Sequence, residues 1–185
     1  MVISKTHSIL IGTAIALIVL MLQIAMAHAA VVETGAAGFA VEEKAHVAAT
    51  PDKVYAALIQ PQNWWNSQHT FSQNAKNLSL DAKAGGCLCE ALPNGGSVSH
   101  LTVLYAAPGA ALRFQGAMGP FQGQGLASTL TFTLTAKDGG TDILLENNVG
   151  GFMKGGFGQW PQRADMMLTD LVARLKSFAE SGAAK

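Results

Sequence analysis

From residue 77 to residue 149, turn-forming residues divide the sequence into short segments rich in apolar and β-branched side chains. This punctuation is typical of an antiparallel meander. The alternation is clearest in 126–136, where leucines and Phe132 alternate with threonines, so that one face is apolar and the other polar. A sheet built from such strands has to be covered on its apolar side. The predicted strands are 39–49, 78–82, 87–92, 98–106, 112–117, 126–136 and 142–149.

The last part of the sequence supplies the cover. Apolar residues recur at three- and four-residue steps from 164 to 179, which predicts a long amphipathic helix. Pro161 suits the first turn of this helix and Gly182 suits its end. Two short helical pieces are predicted earlier, one starting at Thr50-Pro51-Asp52 and one near Trp64-Trp65. We therefore predict an α+β fold with a curved antiparallel sheet of about seven strands around one long C-terminal helix.

Residues 1–29 are predicted to be a targeting segment. Lys5 and His7 precede an almost unbroken apolar run over 9–26, and Ala27-His28-Ala29 has the small-x-small pattern of a signal-peptidase site. We favour a signal peptide, 1–29, cleaved after Ala29, over the alternatives of a site after Ala27 or a retained membrane anchor. A short leader, 30–38, and a single domain, 39–181, would follow. This organisation predicts a periplasmic or secreted protein.

Composition restricts the partners. Hydrophobic residues make up 49% of the chain and charged residues 13%, with a formal net charge of zero. A nucleic-acid-binding protein would need a basic patch, so we expect no nucleic-acid partner. We interpret the pair Glu42-Glu43 as solvated surface. Membrane contact is expected only through an uncleaved N-terminal segment, and the sequence leaves open whether the protein is a monomer or a dimer.

Cys87 and Cys89 are two residues apart on a predicted strand and point to one face. An extended strand separates their Cα atoms by about 6.5–7 Å, at or beyond the usual limit for a disulfide. We favour packed thiols, and a disulfide or redox pair stays open as an alternative. We predict no metal site, because the cysteines have no further ligands at suitable spacing, and no cofactor.

Four titratable residues on predicted strands and loops are candidates for chemistry. His100 and Glu90 are weak catalytic candidates, since either would be an acid–base group if it faced a cavity. The inward face of the Glu90 strand stays ambiguous. Arg113 is expected to face solvent, because it alternates with Leu112 and Phe114, and His69 is expected in a surface loop.

The order of elements and several local strings resemble the SRPBCC or START-like superfamily. This helix-grip superfamily includes the birch-pollen-allergen type, bacterial polyketide cyclases and the Hsp90-ATPase-activator-like group. The resemblance spans 39–180, and its strings are specific for the fold as a set but not for a reaction. The strings are Ala-Thr-Pro-Asp-Lys-Val-Tyr-Ala-Ala-Leu at 49–58, Trp-Trp at 64–65, Ala-Gly-Gly-Cys-Leu-Cys-Glu at 84–90, Ala-Pro-Gly at 107–109 and Gly-Gly-Phe at 150–152.

The resemblance implies a hydrophobic cavity between the sheet and the last helix that holds a small, lipid-like or aromatic molecule. We interpret 150–160 as a glycine-rich loop whose aromatic residues either form an apolar gate to that cavity or anchor the loop. Two alternatives to a binding protein stay open: a cyclase or dehydratase using Glu90 or His100, and an envelope interaction protein with a vestigial cavity. An exported protein would not meet a cytosolic chaperone, so an Hsp90-related role is not expected. The predicted ligand-binding residues are Trp64, Trp65, Met118, Phe121, Phe152 and Trp160.

Overall fold

A computed structural model describes residues 30–183 as one antiparallel sheet with a long C-terminal helix and two shorter helices. The predicted signal peptide lies outside the described residues. The predicted order of elements is confirmed. The strands are β1 Ala30–Gly35, β2 Gly38–Val47, β3 Leu78–Leu80, β4 Cys87–Ala91, β5 Ser97–Ala107, β6 Ala111–Gly116, β7 Gly125–Lys137 and β8 Gly140–Phe152. The helices are α1 Pro51–Leu58, α2 Pro61–Trp64 and α3 Trp160–Ser181, and four 3₁₀ turns lie between them at Ser67–His69, Ala75–Asn77, Pro93–Gly95 and Gly119–Gly123.

The sheet has 8 strands in the order β1-β2-β8-β7-β6-β5-β4-β3, one more than the sequence predicted. The additional strand is β1, which lies within the predicted leader, 30–38. Gly35 and Gly38 face each other at the end of a tight turn, so the segment folds back on β2 as a hairpin. Its glycine and alanine content suggested a linker, but backbone pairing with β2 does not depend on large side chains.

Irregularities in the strand pairing bend the sheet. Val32 is the additional residue where β1 pairs with β2. Strand β5 carries two more additional residues, His100 opposite β4 and Leu104 opposite β6. Each bulge bends its strand and increases the local twist. The sheet thereby curves around the space under α3.

Helix α3 buries one stripe against β1, β2, α1 and α2. The residues fully buried on that stripe are Leu168, Leu171, Val172 and Leu175, as the periodicity predicts. Gly182 ends the helix with φ of 75°, and its N–H donates to Phe178 O at 2.8 Å. A left-handed conformation favours glycine, so the predicted end is confirmed. Within residues 30–183, no helix is both long and apolar enough to cross a membrane.

One sheet residue contradicts the sequence analysis. Glu43 on β2 is 3% exposed and lies beneath α3, whereas Glu42 faces outward. The interpretation of both as solvated surface was therefore wrong for Glu43. Neighbouring residues on a strand point to opposite faces, and the Glu43 face is the one that α3 covers.

Candidate functional site

A cavity of about 820 Å³ lies between the sheet and the first half of α3. It has four walls, namely the segment from Trp65 to Phe71, the 3₁₀ turn Gly119–Gly123, the inner face of the sheet and the first turns of α3. Aromatic and aliphatic side chains dominate this lining, with a few polar groups among them. The principal apolar lining residues are Trp65, Phe71, Met118, Phe121, Trp160, Met167 and Leu168, and the principal polar ones are Thr70, His100, Ser128, Asn147 and Arg163.

The predicted ligand-binding residues divide between the cavity and other places. Trp65, Met118, Phe121 and Trp160 line the cavity, while Trp64 and Phe152 do not. Trp64 is 2% exposed and packs in the core, where its indole N–H donates to Ala57 O at 2.8 Å. Phe152 is at the end of β8 and is 74% exposed. Placing these two at the cavity was wrong. Local sequence does not set which of the adjacent Trp64 and Trp65 packs in the core and which lines the cavity, and Phe152 faces solvent.

The aromatic residues between 150 and 160 have separate roles. Met153 and Phe157 are buried, and the Phe157 ring packs edge-on against Phe39 with centroids 5.5 Å apart. Trp160 contacts Phe121 in the cavity wall, with centroids 5.3 Å apart. The segment is therefore anchored to the core at Phe157, and Trp160 is its cavity-lining member.

Glu90 and His100 form a buried pair beside this cavity. Glu90 is 1% exposed, and its Oε2 lies 2.8 Å from His100 Nε2. Because His100 is the additional residue of a bulge, it and Leu101 are both buried although they are consecutive in β5. The bulge is what turns the imidazole toward the inner face, where it meets Glu90. Both catalytic candidates therefore face the interior, and His100 lines the cavity.

The Glu90 carboxylate also binds the backbone of the loop at Phe71 and Ser72, above the sheet. The backbone N–H of Phe71 donates to Oε2 at 3.0 Å, and that of Ser72 donates to Oε1. Burial alone would raise the pKa of Glu90, but the hydrogen bonds from Ser72, Phe71 and His100 outweigh it and lower the pKa. An ionised carboxylate only accepts hydrogen bonds, so His100 Nε2 is the donor. Nδ1 of His100 makes no hydrogen bond to any residue in 30–183.

Asn147 and Ser128 add polar groups that sequence reasoning missed. Asn147 lies on the inner face of β8, is 3% exposed, and its Oδ1 is buried without a hydrogen-bond partner among the described residues. Ser128 on β7 donates to Gly116 O at 2.7 Å. The signal was present in the alternation, because an asparagine stands between Leu145 and Val149 on an otherwise apolar face. A buried unpaired acceptor in a cavity wall is a position where a ligand donor would be stabilised.

Cys87 and Cys89 are joined by a disulfide, with Cα atoms 5.3 Å apart. The prediction of packed free thiols was wrong, because β4 is not fully extended between the two cysteines. Strand β4 is contracted where its pairing with β5 shifts register, between Leu88 and Cys89. Leu88 and Glu90 face inward, so the disulfide lies on the outer face of the sheet. Among residues 30–183, no group of three metal-binding side chains is close enough to hold an ion.

The remaining candidates lie near the rim or on the surface. Arg113 is exposed, as predicted, and its Nε donates to Thr131 Oγ1 at 3.1 Å. His69 is exposed in a 3₁₀ turn at the edge of the cavity lining. Arg163 lies over the Trp160 ring, with its guanidinium carbon 5.1 Å from the centroid, and also lines the cavity.

Comparison with known proteins shows the fold. No family model matches the chain, and no curated protein matches its sequence significantly. CalU16 from Micromonospora echinospora is 16% identical with a TM-score of 0.56, covering 83% of this chain and 83% of its own. Aha1 from Colwellia psychrerythraea is 18% identical with a TM-score of 0.54, covering 77% and 97% respectively. Protein CV1439 from Chromobacterium violaceum is 17% identical with a TM-score of 0.54, covering 76% and 96%.

The chain has a helix-grip fold. This follows from the single antiparallel sheet, the C-terminal helix that covers it, and the similarity to these structures. At these identities the similarity concerns the fold alone. Any function has to be argued from the cavity, because one fold serves many activities.

Proposed function

We propose that this protein is an exported binder of a small, mainly hydrophobic molecule that it holds in the cavity between the sheet and α3. The observation that carries the proposal is the cavity itself, with a volume of about 820 Å³ and a mainly apolar and aromatic lining. Binding sites for small molecules have this size and this composition, with a few polar groups that orient the ligand. A vestigial cavity would instead be filled by large side chains.

The lining also indicates the chemistry of the ligand. Trp65, Phe121 and Trp160 offer flat apolar surfaces, which suit an aromatic or lipid-like body. The polar atoms of His100 and Asn147 belong to β5 and β8, which β6 and β7 separate. With strands about 4.8 Å apart, the three strand spacings between the two positions amount to about 14 Å across the sheet. The favoured ligand is therefore an extended apolar molecule that carries polar groups at separate positions.

Binding is tested with 1-aminoanthracene, a fluorescent aromatic amine, and with dodecanoic acid as its competitor. The matched variants are Ala164→Phe, which places a ring in the cavity, and Gln162→Phe, which places it on the exposed face of the same helix. We expect saturable binding to the wild type, displacement by the acid, and at least about tenfold weaker binding to Ala164→Phe only.

Native mass spectrometry of the protein purified from its host is the second measurement. We expect a small molecule to remain bound in part of the population. Failure of both probes to bind, together with a protein that is always empty, would contradict the proposal. Equal weakening by the two phenylalanine variants would place probe binding outside the cavity.

Export is proposed from the N-terminal sequence. N-terminal sequencing of the protein from the periplasmic fraction or the culture medium is expected to begin at Ala30, or at His28 if the earlier site is used. Ala29→Phe should block cleavage after residue 29, since signal peptidase requires a small residue there. Recovery of an intact Met1 terminus in the membrane fraction would show instead that the segment is a retained anchor.

A further inference from the structure

We infer that His100 is a general base for a cavity-bound substrate and that Glu90 is the residue that positions it. The substrate class is a mainly apolar molecule with an acidic C–H bond next to an electron-withdrawing group. This inference rests on the cavity binding proposed above and adds a reaction to it. Three observations on Glu90, His100 and the cavity carry it.

The first observation is the orientation of the imidazole. Nε2 of His100 lies 2.8 Å from Glu90 Oε2, and Phe71 packs against the ring with centroids 5.8 Å apart. Glu90 in turn is fixed by the backbone N–H groups of Phe71 and Ser72. The His100 ring is thus oriented by the Glu90 carboxylate, which is fixed in turn by two backbone hydrogen bonds. A base with a fixed tautomer and direction is the arrangement that proton transfer requires.

The second observation concerns Nδ1, the other ring nitrogen of His100. The hydrogen bond to Glu90 uses Nε2, so Nδ1 is the basic nitrogen, and it has no hydrogen-bond partner within residues 30–183. The third observation is that His100 lines the cavity, so a bound molecule is within reach of the ring. A purely structural pair would need neither an unpaired nitrogen nor access to a cavity.

The proposed step is balanced without any other reactant. Nδ1 of His100 takes the proton, the C–H bond breaks, and its electron pair moves onto the electron-withdrawing group, such as a carbonyl that becomes an enolate. The imidazolium formed in this way is stabilised through Nε2–H by the Glu90 carboxylate. Return of the proton to a different carbon gives an isomer of the substrate. No electron acceptor or donor takes part.

The probe for this step is 5-nitrobenzisoxazole, a bicyclic aromatic carbon acid. A base removes its ring C–H proton, the N–O bond breaks, and a coloured cyanonitrophenolate forms. Binding is measured separately with 6-nitrobenzotriazole, an unreactive analogue of the same shape. We expect saturable turnover of the probe by the wild-type protein, because the free Nδ1 of His100 would remove the ring proton.

Substitutions at His100 and at Glu90 distinguish the proposed base from the residue that positions it. His100→Ala is expected to lower kcat/KM at least about tenfold. Glu90→Gln should lower kcat by a larger factor than it raises KM, because the carboxylate contacts the imidazole directly and affects the cavity wall only through the loop at Phe71 and Ser72. His46→Ala is the matched control, since His46 also pairs with a carboxylate, Asp142, at 2.8 Å but on the exposed surface. This control should leave turnover unchanged.

A measurement on the wild type covers the case in which a variant does not fold. Nitrogen-15 spectra of the histidine rings should show the neutral His100 ring carrying its proton on Nε2 and not on Nδ1, with the Nδ1 signal shifting when the analogue binds. If the analogue binds but turnover does not exceed that of free imidazole, or the Nδ1 signal is unaffected, the base is refuted while cavity binding stands. If the analogue does not bind, cavity binding of bicyclic aromatics is refuted, and the base with it.

Discussion

The carboxyl group of Glu43 on β2 accepts a hydrogen bond from the Thr169 hydroxyl on α3, with the two oxygens 2.9 Å apart. This contact joins the sheet to the helix that covers it. Burial is the main cause that raises the pKa of Glu43 from 4.5 to about 7. The Thr169 hydrogen bond opposes this rise in part, and the nearby Asp165 carboxylate adds to it. Asp165 Oδ1 is itself buried without a partner among the described residues.

Glu43 is therefore expected to make the protein less stable as pH rises. A raised pKa means that the folded state holds the proton more tightly, so stability is greatest below 4.5 and falls as pH rises through about 7. Glu43→Gln should remove this loss, being more stable than the wild type at about pH 8 by up to about 3 kcal/mol and similar to it at about pH 4. Urea unfolding of the wild type and the variant at both pH values is the measurement. Equal stability of the two proteins at both pH values would contradict the prediction.

Glu90 has the opposite pH dependence. Its lowered pKa contributes stability that is fully present above the ordinary value of 4.5 and is lost as pH falls through the lower folded value. Glu90→Gln should destabilise the protein by about 2–4 kcal/mol at pH 7, because a single amide oxygen cannot replace a carboxylate that accepts from two backbone N–H groups and an imidazole. The difference in unfolding free energy between the wild type and Glu90→Gln should be smaller at about pH 3. A constant difference across this range would show that ionisation of Glu90 is not responsible.

Trp64 and Trp65 should differ in what their removal affects. Trp64→Ala is expected to cost about 3–5 kcal/mol of unfolding free energy, since it empties a core site and removes a hydrogen bond to Ala57 O. Trp65→Ala should cost less than about 1.5 kcal/mol but weaken 1-aminoanthracene binding several-fold, since this side chain lines the cavity. Chemical unfolding and fluorescence titration of both variants test this. A larger stability loss for Trp65→Ala, with weaker probe binding for Trp64→Ala, would contradict the prediction.

The Cys87–Cys89 disulfide is expected to add little global stability. The bridge closes a loop of three residues, for which chain entropy gives about 1–2 kcal/mol. The double substitution Cys87→Ser, Cys89→Ser should cost no more than this. Because both cysteines face away from the cavity, probe affinity should stay within about twofold. Dithiothreitol should reproduce the loss in the wild type and have no effect on the variant; a large change in affinity would instead couple the bridge to the site.

The strand sequences predicted the sheet and its inner face in most places because period-two alternation is a local property. The alternation did not predict the position of His100. One additional residue in β5 makes His100 and Leu101 both face inward, and a single-residue shift reverses every side chain that follows it. The bulge arises from pairing with β4, and nothing within 97–107 alone identifies its place.

The sequence by itself determined the α+β class, the order of elements along the chain from residue 39 onward and the long covering helix with its end at Gly182. These depend on patterns of apolar residues, prolines and glycines within single elements. Only the tertiary structure decided which residues meet: Glu90 with His100, Glu43 with Thr169, and Trp65 rather than Trp64 with the cavity. The reason is physical. Strand register, bulges and the packing of α3 set those contacts, and each depends on segments far apart in the chain.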